Sequence, residues 1–570
     1  MSTTQRMTLL AILLASAALK LGYVFGLTEY SKYVMSDSAH YYQRALALLQ
    51  GQLPTHVDWD IYPMGASSLL ALYWAALSVL GISSHTLETA LLLNVLASTV
   101  CVALLWHLGW RLTGRPRLAL LIAAAYSVFY PLVYLNAFTL SESPAQLFFM
   151  LSVWTFIEAY HRPHAARWLI ASGLCWAVAA HCRGSFLPCA AASLLVLLWY
   201  PPPSLRRTGA SCAFLLPGVA VFLLASAALW WASDGASYKP TGSNGGFNFF
   251  MQQCHFFGAK TYEPGWVWQF YPPVFRDQPE LGIFETTVPF LNQGFYYREG
   301  LNCLQRLPGA WSRVLALGPE MIYGNFYPHF VTASGFEAGM RISRHISLAL
   351  ILLSPAGWWL LQRRHPAIAL LLLAQSACLL LTFVFFSADH RHLYSLAFVY
   401  FLLGISGLAA LLARGWPARL RYAALATATL AMAVFLFSGS GWLSLKHHRE
   451  TSFPRHLIDT PLGDGTPWYA LEAMRFWAPV NIELGGMRHH ALLDLALDHN
   501  DVYTLSFWHG DEKLGAVQLS LARDPPPPQG LVARHVRIPP AIAARGYDRL
   551  RLEAISGDGR YSVGDLRLRD

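Results

Sequence analysis

Long apolar stretches separated by short polar breaks run through the first three quarters of the chain, and most of the breaks carry arginine. Residues 7–27 open the series, with enough length to cross a bilayer as a helix. Further apolar runs follow at 88–110, 117–134, 144–160, 167–181, 185–200, 210–232, 343–361, 366–386, 393–413 and 420–437, so about eleven transmembrane helices are expected. Between the first two runs lies a different pattern, Ser36-Asp37-Ser38-Ala39-His40-Tyr41-Tyr42-Gln43-Arg44, continuing to Gly51. It reads as an amphipathic helix with a cap-like start and a glycine stop. Asp37 then sits at a helix N-terminus just above the membrane, where the helix dipole favours an ionised carboxylate. From about Ser438 the period changes to two: alternating runs at 491–497, 502–508, 515–521, 532–538, 549–554 and 561–568 are separated by turn signals such as His509-Gly510-Asp511. The fold class expected is an all-α polytopic membrane domain over residues 1–437, followed by a C-terminal β-sandwich over 438–570. The proline run at 525–528 reads as a stiff connection between strands.

Residues 64–82, which follow Tyr62-Pro63, are also apolar enough to span, and charge decides against it. If they crossed, Arg111, Arg115 and Arg117 would lie on the same side as Asp37. If they lie in the interface, that loop and the later clusters Arg162/Arg167, Arg206/Arg207, Arg363/Arg364 and Arg414/Arg419/Arg421 all fall inside. The interfacial reading puts the N-terminus inside and the segments 28–87, 233–342 and 438–570 outside. Lys20, within the first run, is expected to snorkel to the outer interface.

Composition agrees with a membrane chain: 55% of residues are hydrophobic and 13% charged, against about 25% charged in soluble domains. The net charge of +9 sits largely in short loops between apolar runs, as the positive-inside rule requires, so no nucleic-acid partner is expected. Residues 7–27 read as a retained span, since no small-residue cleavage site clearly follows. The eight cysteines contain no C-x-x-C pair, which argues against zinc. Cys254 and Cys303 are the only cysteines placed outside the membrane, where an oxidising exterior would let them pair.

Candidate chemistry collects at the outer span ends. Asp37 and Glu142 come from two external loops, Arg183 from the turn His181-Cys182-Arg183-Gly184, and Asp389-His390-Arg391-His392 opens the run at 393. Two carboxylates with two arginines suit a reaction in which a hydroxyl loses a proton while a phosphate leaves. The loop 233–342 is rich in aromatic residues, as in Trp266-Val-Trp268-Gln-Phe-Tyr, and suits a substrate cover.

In order and topology these elements resemble the GT-C glycosyltransferase superfamily, within it the branch of protein O-mannosyltransferases and lipid A aminoarabinose transferases. The resemblance covers about residues 7 to 413 and rests on Ser36-Asp37-Ser38-Ala39-His40-Tyr41-Tyr42, Tyr62-Pro63-Met64-Gly65, Leu140-Ser141-Glu142-Ser143-Pro144, Gly245-Gly246-Phe247-Asn248 and Arg391-His392-Leu393-Tyr394. It implies that Asp37 is the first-loop catalytic acid and Glu142 the second, with Arg183 and Arg391, flanked by His390 and His392, meeting a lipid phosphate. Tyr41, Tyr42, Tyr62 and Asn248 are the substrate contacts expected from the same motifs. Two departures bear on the donor headgroup: Ser38 follows Asp37 where several relatives have a second acid, and Tyr62 stands where some have a phosphate-binding lysine.

The function implied is inverting transfer of a sugar from a polyprenyl phosphate, such as decaprenyl or undecaprenyl phosphate, to a hydroxyl of a glycan, lipid or protein acceptor on the outer face of a bacterial inner membrane. The C-terminal domain would be periplasmic, and membrane lipids are expected partners of the chain. Some branches use a divalent metal and others none, and the residues decide neither; no other cofactor is implied. The sandwich resembles carbohydrate-binding modules in strand pattern alone. Trp508, Tyr503 and Tyr547 are its candidate sugar-stacking residues, at least two of which are expected in the core. A transporter or flippase of polyprenyl-linked glycans is the alternative, but it would place polar groups inside the spans and show inverted repeats. A silent scaffold displaying the sandwich is the other alternative.

Overall fold

A computed structural model describes residues 2–28, 30–33, 37–52, 62–82, 85–232, 241–242, 245–253, 293–306, 336–386, 390–412, 451–452, 473–476, 479–498, 502–519, 531–556 and 561–569. The described residues fall into two compact units, one from Met1–Phe249 and Val331–Val434, the other from Phe250–Ala310 and Phe435–Asp570.

The first unit is helical. Its helices are α1 (Thr3–Gly22, closed by a π turn Tyr23–Leu27), α2 (Asp37–Leu49), α3 (Gly65–Val79), α4 (Leu87–Thr113), α5 (Pro116–Ser127), α6 (Tyr130–Tyr134), α7 (Glu142–His161), α8 (Ala165–Cys182), α9 (Cys189–Trp199), α10 (Arg207–Ala232) and the first half, up to Phe249, of α11 (Gly245–Gln253). Gln293–Arg306 forms α12, which belongs to the second unit. The first unit resumes with α13 (Phe336–Arg364), α14 (Pro366–Phe386), α15 (His390–Leu393) and α16 (Ala397–Leu412).

Ten of the eleven expected spans coincide with helices, and the eleventh, 420–437, lies outside the described residues. Six described helices are long and apolar enough to cross a membrane, or seven if the bent pair Pro116–Ser127 and Tyr130–Ala137 counts as one. That pair bends by 57° where a straight span over 117–134 is expected. Pro131 explains the break, since a proline ring clashes with the preceding turn and removes a backbone donor. Helix α3 has 15 residues, about 22 Å at 1.5 Å per residue, short of the roughly 30 Å hydrocarbon thickness.

Close helix packing uses small residues. On α16, a Cβ added to Gly404 would fall 2.5 Å from the Leu350 carbonyl oxygen of α13, so only glycine allows this approach. Lys20 does not reach an open surface: it is 2% exposed, in the last turn of α1 on the side packed against α4.

In the second unit two sheets share one core. One has the order β1 (Thr451–Ser452), β3 (Val480–Arg488), β8 (Tyr547–Ser556), β5 (Val502–His509), β6 (Glu512–Leu519); the other runs β2 (Ala473–Phe476), β9 (Tyr561–Arg569), β4 (Leu492–Asp498), β7 (Leu531–Arg537). Pairings are antiparallel except β1 with β3. Alternate residues Val480, Ile482, Leu493, Leu495, Tyr503, Leu505, Phe507, Leu550, Leu552 and Leu566 point inward. Tyr503 and Tyr547 are core residues at 0% exposure, whereas Trp508 lies half-buried with the Arg549 guanidinium 5.2 Å from its ring. The expected strands are all present. β1, β2 and β3 were not expected: β3 carries a bulge between Glu483 and Arg488 around Gly485 and Gly486, which breaks the alternation. Cys254, the side chain of Cys303 and the 525–528 run lie outside the described residues.

Candidate active site

Helix α2 begins at Asp37 itself, so this carboxylate lies in the first turn, at the positive end of the helix dipole. Ser38, Tyr41, Arg44 and Ala45 form its buried face, at the three- and four-residue spacing of one side of a helix. Glu142 is likewise the first residue of its helix, α7. The approach to α7 is held by polar side chains. Asn136 is fully buried and accepts from Ser98 at 2.9 Å, Asn94 donates to the Phe138 carbonyl at 2.6 Å, and Thr139 donates to the Ser38 carbonyl at 2.8 Å. The last bond ties the start of α2 to the strand of chain that delivers Glu142.

Arg183 follows the last turn of α8 in extended backbone, φ −154° and ψ 112°, and its Nη1 meets Glu142 Oε1 at 2.6 Å. Arg391 stands on α15. Its Nη2 reaches Asp37 Oδ2 at 3.2 Å and its Nε lies 3.5 Å from Glu142 Oε1, so one guanidinium bridges the two carboxylates. Gln146, one turn beyond Glu142, donates to the Tyr394 carbonyl at 3.1 Å and to the Tyr126 hydroxyl at 2.8 Å, which fixes the turn after Arg391 against α7. The Tyr62 hydroxyl donates to the other Asp37 oxygen, Oδ1, at 3.1 Å.

The two acids have different surroundings. The Glu142 side chain is 6% exposed and lies between two arginines, while Asp37 is 23% exposed. Glu142 is therefore a buried counter-ion, and Asp37 the carboxylate that an incoming group can reach. Tyr41 is buried beside them; burial, with the Asp37 charge adding to it, pushes its phenol up to about 12, so it stays a neutral donor. His40 stacks on Tyr62 with 5.0 Å between ring centroids, and Tyr41 meets the same ring edge-on at 5.8 Å.

Asp37, Glu142, Arg183, Arg391, Tyr62 and Tyr41 thus form one group. Tyr42 points elsewhere, packing edge-on against Trp74 at 5.7 Å in the apolar contact between α2 and α3. His392 is 4% exposed with its ring 5.1 Å from Phe383. The side chain of His390 lies outside the described residues. Asn248 is half-buried on α11, whose Phe249 packs on Phe386 at 5.4 Å. Sequence reasoning missed Arg44, Thr139 and Gln146. Arg44 had a signal, an arginine on the face that the apolar pattern assigns to the core; Gln146 had a weaker one, its four-residue spacing from Glu142.

Among the described residues no three His, Cys, Asp or Glu side chains are grouped as metal ligands. Each site carboxylate already faces a guanidinium, a donor set that fits an anion-binding site better than a divalent-cation site.

Residues 68–231 match the family model described as dolichyl-phosphate-mannose-protein mannosyltransferase. Both Glu142 and Arg183 fall within this segment. No curated protein in the comparison matches the chain. Among solved structures, the chain is similar to the archaeal oligosaccharyltransferase AglB from Archaeoglobus fulgidus in complex with an inhibitory peptide and a dolichol-phosphate. That likeness has 12% identity and a TM-score of 0.42, covering 76% of this chain and 56% of that one. The apo oligosaccharyltransferase of the same organism is similar at 14% identity with a TM-score of 0.40, covering 75% and 55%. The chain therefore spans little more than half the length of these structures.

Proposed function

From its kinship with the GT-C membrane glycosyltransferases, which the family match bears out, we propose that this enzyme moves a sugar from a polyprenyl-phosphate donor to an acceptor hydroxyl with inversion at the anomeric carbon. The single observation that carries the reading is Arg391 set between Asp37 and Glu142, with Arg183 on Glu142. That group pairs a reachable carboxylate with two guanidinium groups, the parts that proton removal and phosphate departure require.

In the reaction the acceptor O–H gives its proton to Asp37 while its oxygen bonds to the anomeric carbon. The bond from that carbon to the phosphate oxygen breaks, and its electron pair stays on the phosphate. Arg391 and Arg183 meet the growing charge with charge-assisted hydrogen bonds in a largely buried setting, where such bonds are strongest. Glu142 holds both guanidinium groups in place. No step is assigned to a metal. The family description names dolichyl-phosphate mannose, so polyprenyl-phosphoryl mannose is the first donor to try. The reaction side is the outer face of a bacterial inner membrane, in line with arginine-rich loops on the opposite side.

The test is made on the purified chain in nanodiscs with polyprenyl-phosphoryl mannose and a peptide, glycan or lipid acceptor. Stoichiometric release of polyprenyl phosphate with mannosyl transfer supports the reading. Movement of intact lipid-linked sugar across a proteoliposome membrane without cleavage would support a flippase instead.

A further inference from the structure

The segment Tyr62-Pro63-Met64-Gly65 is gripped at both ends. At one end the buried Arg44 of α2, 5% exposed, donates from Nη1 to the Tyr62 carbonyl at 2.9 Å and to the Pro63 carbonyl at 3.2 Å. At the other, Gly65 lies so near the end of α8 that an added Cβ would stand 2.5 Å from the Cys182 backbone nitrogen, one residue before Arg183. The ring of Tyr62 projects from this segment, with its hydroxyl 3.1 Å from Asp37 Oδ1.

We propose that Arg44 is a positioning residue: by holding the Tyr62 and Pro63 carbonyls it sets the Tyr62 hydroxyl on Asp37 and so fixes the orientation and basicity of that carboxylate. The assignment of Asp37 as base rests on the functional reading above; the mechanical link from Arg44 to Asp37 does not. An arginine on the buried face of an amphipathic helix is costly unless its donors are satisfied, and here the Tyr62 and Pro63 carbonyls both accept from Nη1. Both bonds leave one nitrogen, Nη1, which the planar guanidinium holds in place at the end of a long side chain. Lysine keeps the charge and the donors but carries them on a freely rotating ammonium.

Because a hydrogen bond donated to a carboxylate favours its ionised form, losing the Tyr62 bond raises the pH at which Asp37 protonates. The readout is the Asp37 carboxyl C=O band in pH-difference infrared spectra of the intact protein in nanodiscs, identified as the band that Asp37→Asn abolishes. Tyr62→Phe and Arg44→Gln are each expected to raise the midpoint by about half to one pH unit, and the double variant no further than either alone. Arg44→Lys, the conservative variant in case Arg44→Gln does not fold, should show a partial shift. An Arg44 midpoint equal to wild type beside a shifted Tyr62→Phe, or two shifts that add, would overturn the proposal. If Asp37→Asn turns over normally while the infrared shifts hold, the general-base reading fails and the Arg44 link stands.

Discussion

Removing Arg183 is the perturbation in which fold and function are most closely entangled. Sequence alone makes Arg183 a candidate phosphate ligand, whose loss should weaken donor binding more than folding. The structure adds a second role: Arg183 Nη1 is 2.6 Å from Glu142 Oε1, with the two side chains 13% and 6% exposed. Deleting one partner of a buried ion pair typically costs about 3–5 kcal/mol, because the other charge is stranded. Here Arg391 Nε remains 3.5 Å from the same oxygen and still neutralises part of the charge. The expected loss for Arg183→Ala therefore falls at or below the lower end of that range, about 2–3 kcal/mol. The double variant Arg183→Ala/Glu142→Gln removes the stranded charge and should recover at least half of it. Thermal unfolding of the four proteins in nanodiscs measures the cycle. An Arg183→Ala protein that melts with wild type, or a Glu142→Gln change that deepens the loss, would refute the counter-ion role.

Three other outcomes follow from the same geometry. Arg391→Ala should weaken polyprenyl-phosphate binding by more than tenfold, since a charge-assisted bond contributes about 1.5–3 kcal/mol; unchanged affinity by calorimetry would take Arg391 off the phosphate. Gly65→Ala should lower both stability and turnover, because the new methyl has to push α3 off the end of α8; wild-type melting and rate would contradict this contact. In the second unit, burial alone would raise the Asp494 carboxyl, but His535 and Arg569 outweigh it and hold it below the usual aspartate range. This stabilisation is present above the unfolded-state value and lost as pH falls through the lower folded value. Protection of the β4 amides in the intact protein, taken as exchange relative to the unstructured rate at the same pH, should thus fall as the medium is acidified below about pH 4, and Asp494→Asn should flatten that dependence; equal acid sensitivity in both would remove Asp494 as its source.

The charged members of the site were legible because ionisable groups at span ends stand out in so apolar a chain. Asp37, Glu142, Arg183 and Arg391 could each be named, but their pairing could not: Arg391 meets Asp37 across a sequence separation of 354, and nothing local encodes that contact. Adjacent residues on one helix were harder still. Tyr41 and Tyr42 look equivalent in sequence, yet about 100° of helical rotation turns Tyr41 to the acids and Tyr42 to Trp74. Arg44 was passed over because its partners are backbone carbonyls, which leave no mark in the side-chain pattern. The helical spans were legible from apolar length, but the bend before Tyr130 was read as continuous despite Pro131. In the sandwich the regular strands showed their period, while the bulge in β3 hid that strand and the short β1 and β2 had too few residues to show one.

The general-base role of Asp37 is the claim on which the account turns, and one measurement addresses it directly. Asparagine serves about as well as aspartate at a helix start and keeps an oxygen for the Tyr62 hydroxyl, but it takes no proton. Arg391 also retains Glu142 at 3.5 Å. Initial rates of polyprenyl-phosphate release from polyprenyl-phosphoryl mannose are compared for wild type and Asp37→Asn in nanodiscs, with melting temperature and polyprenyl-phosphate affinity measured on the same samples. The account predicts nearly unchanged melting and affinity with turnover lower by about 10²-fold or more; an Asp37→Asn enzyme working near the wild-type rate would contradict it.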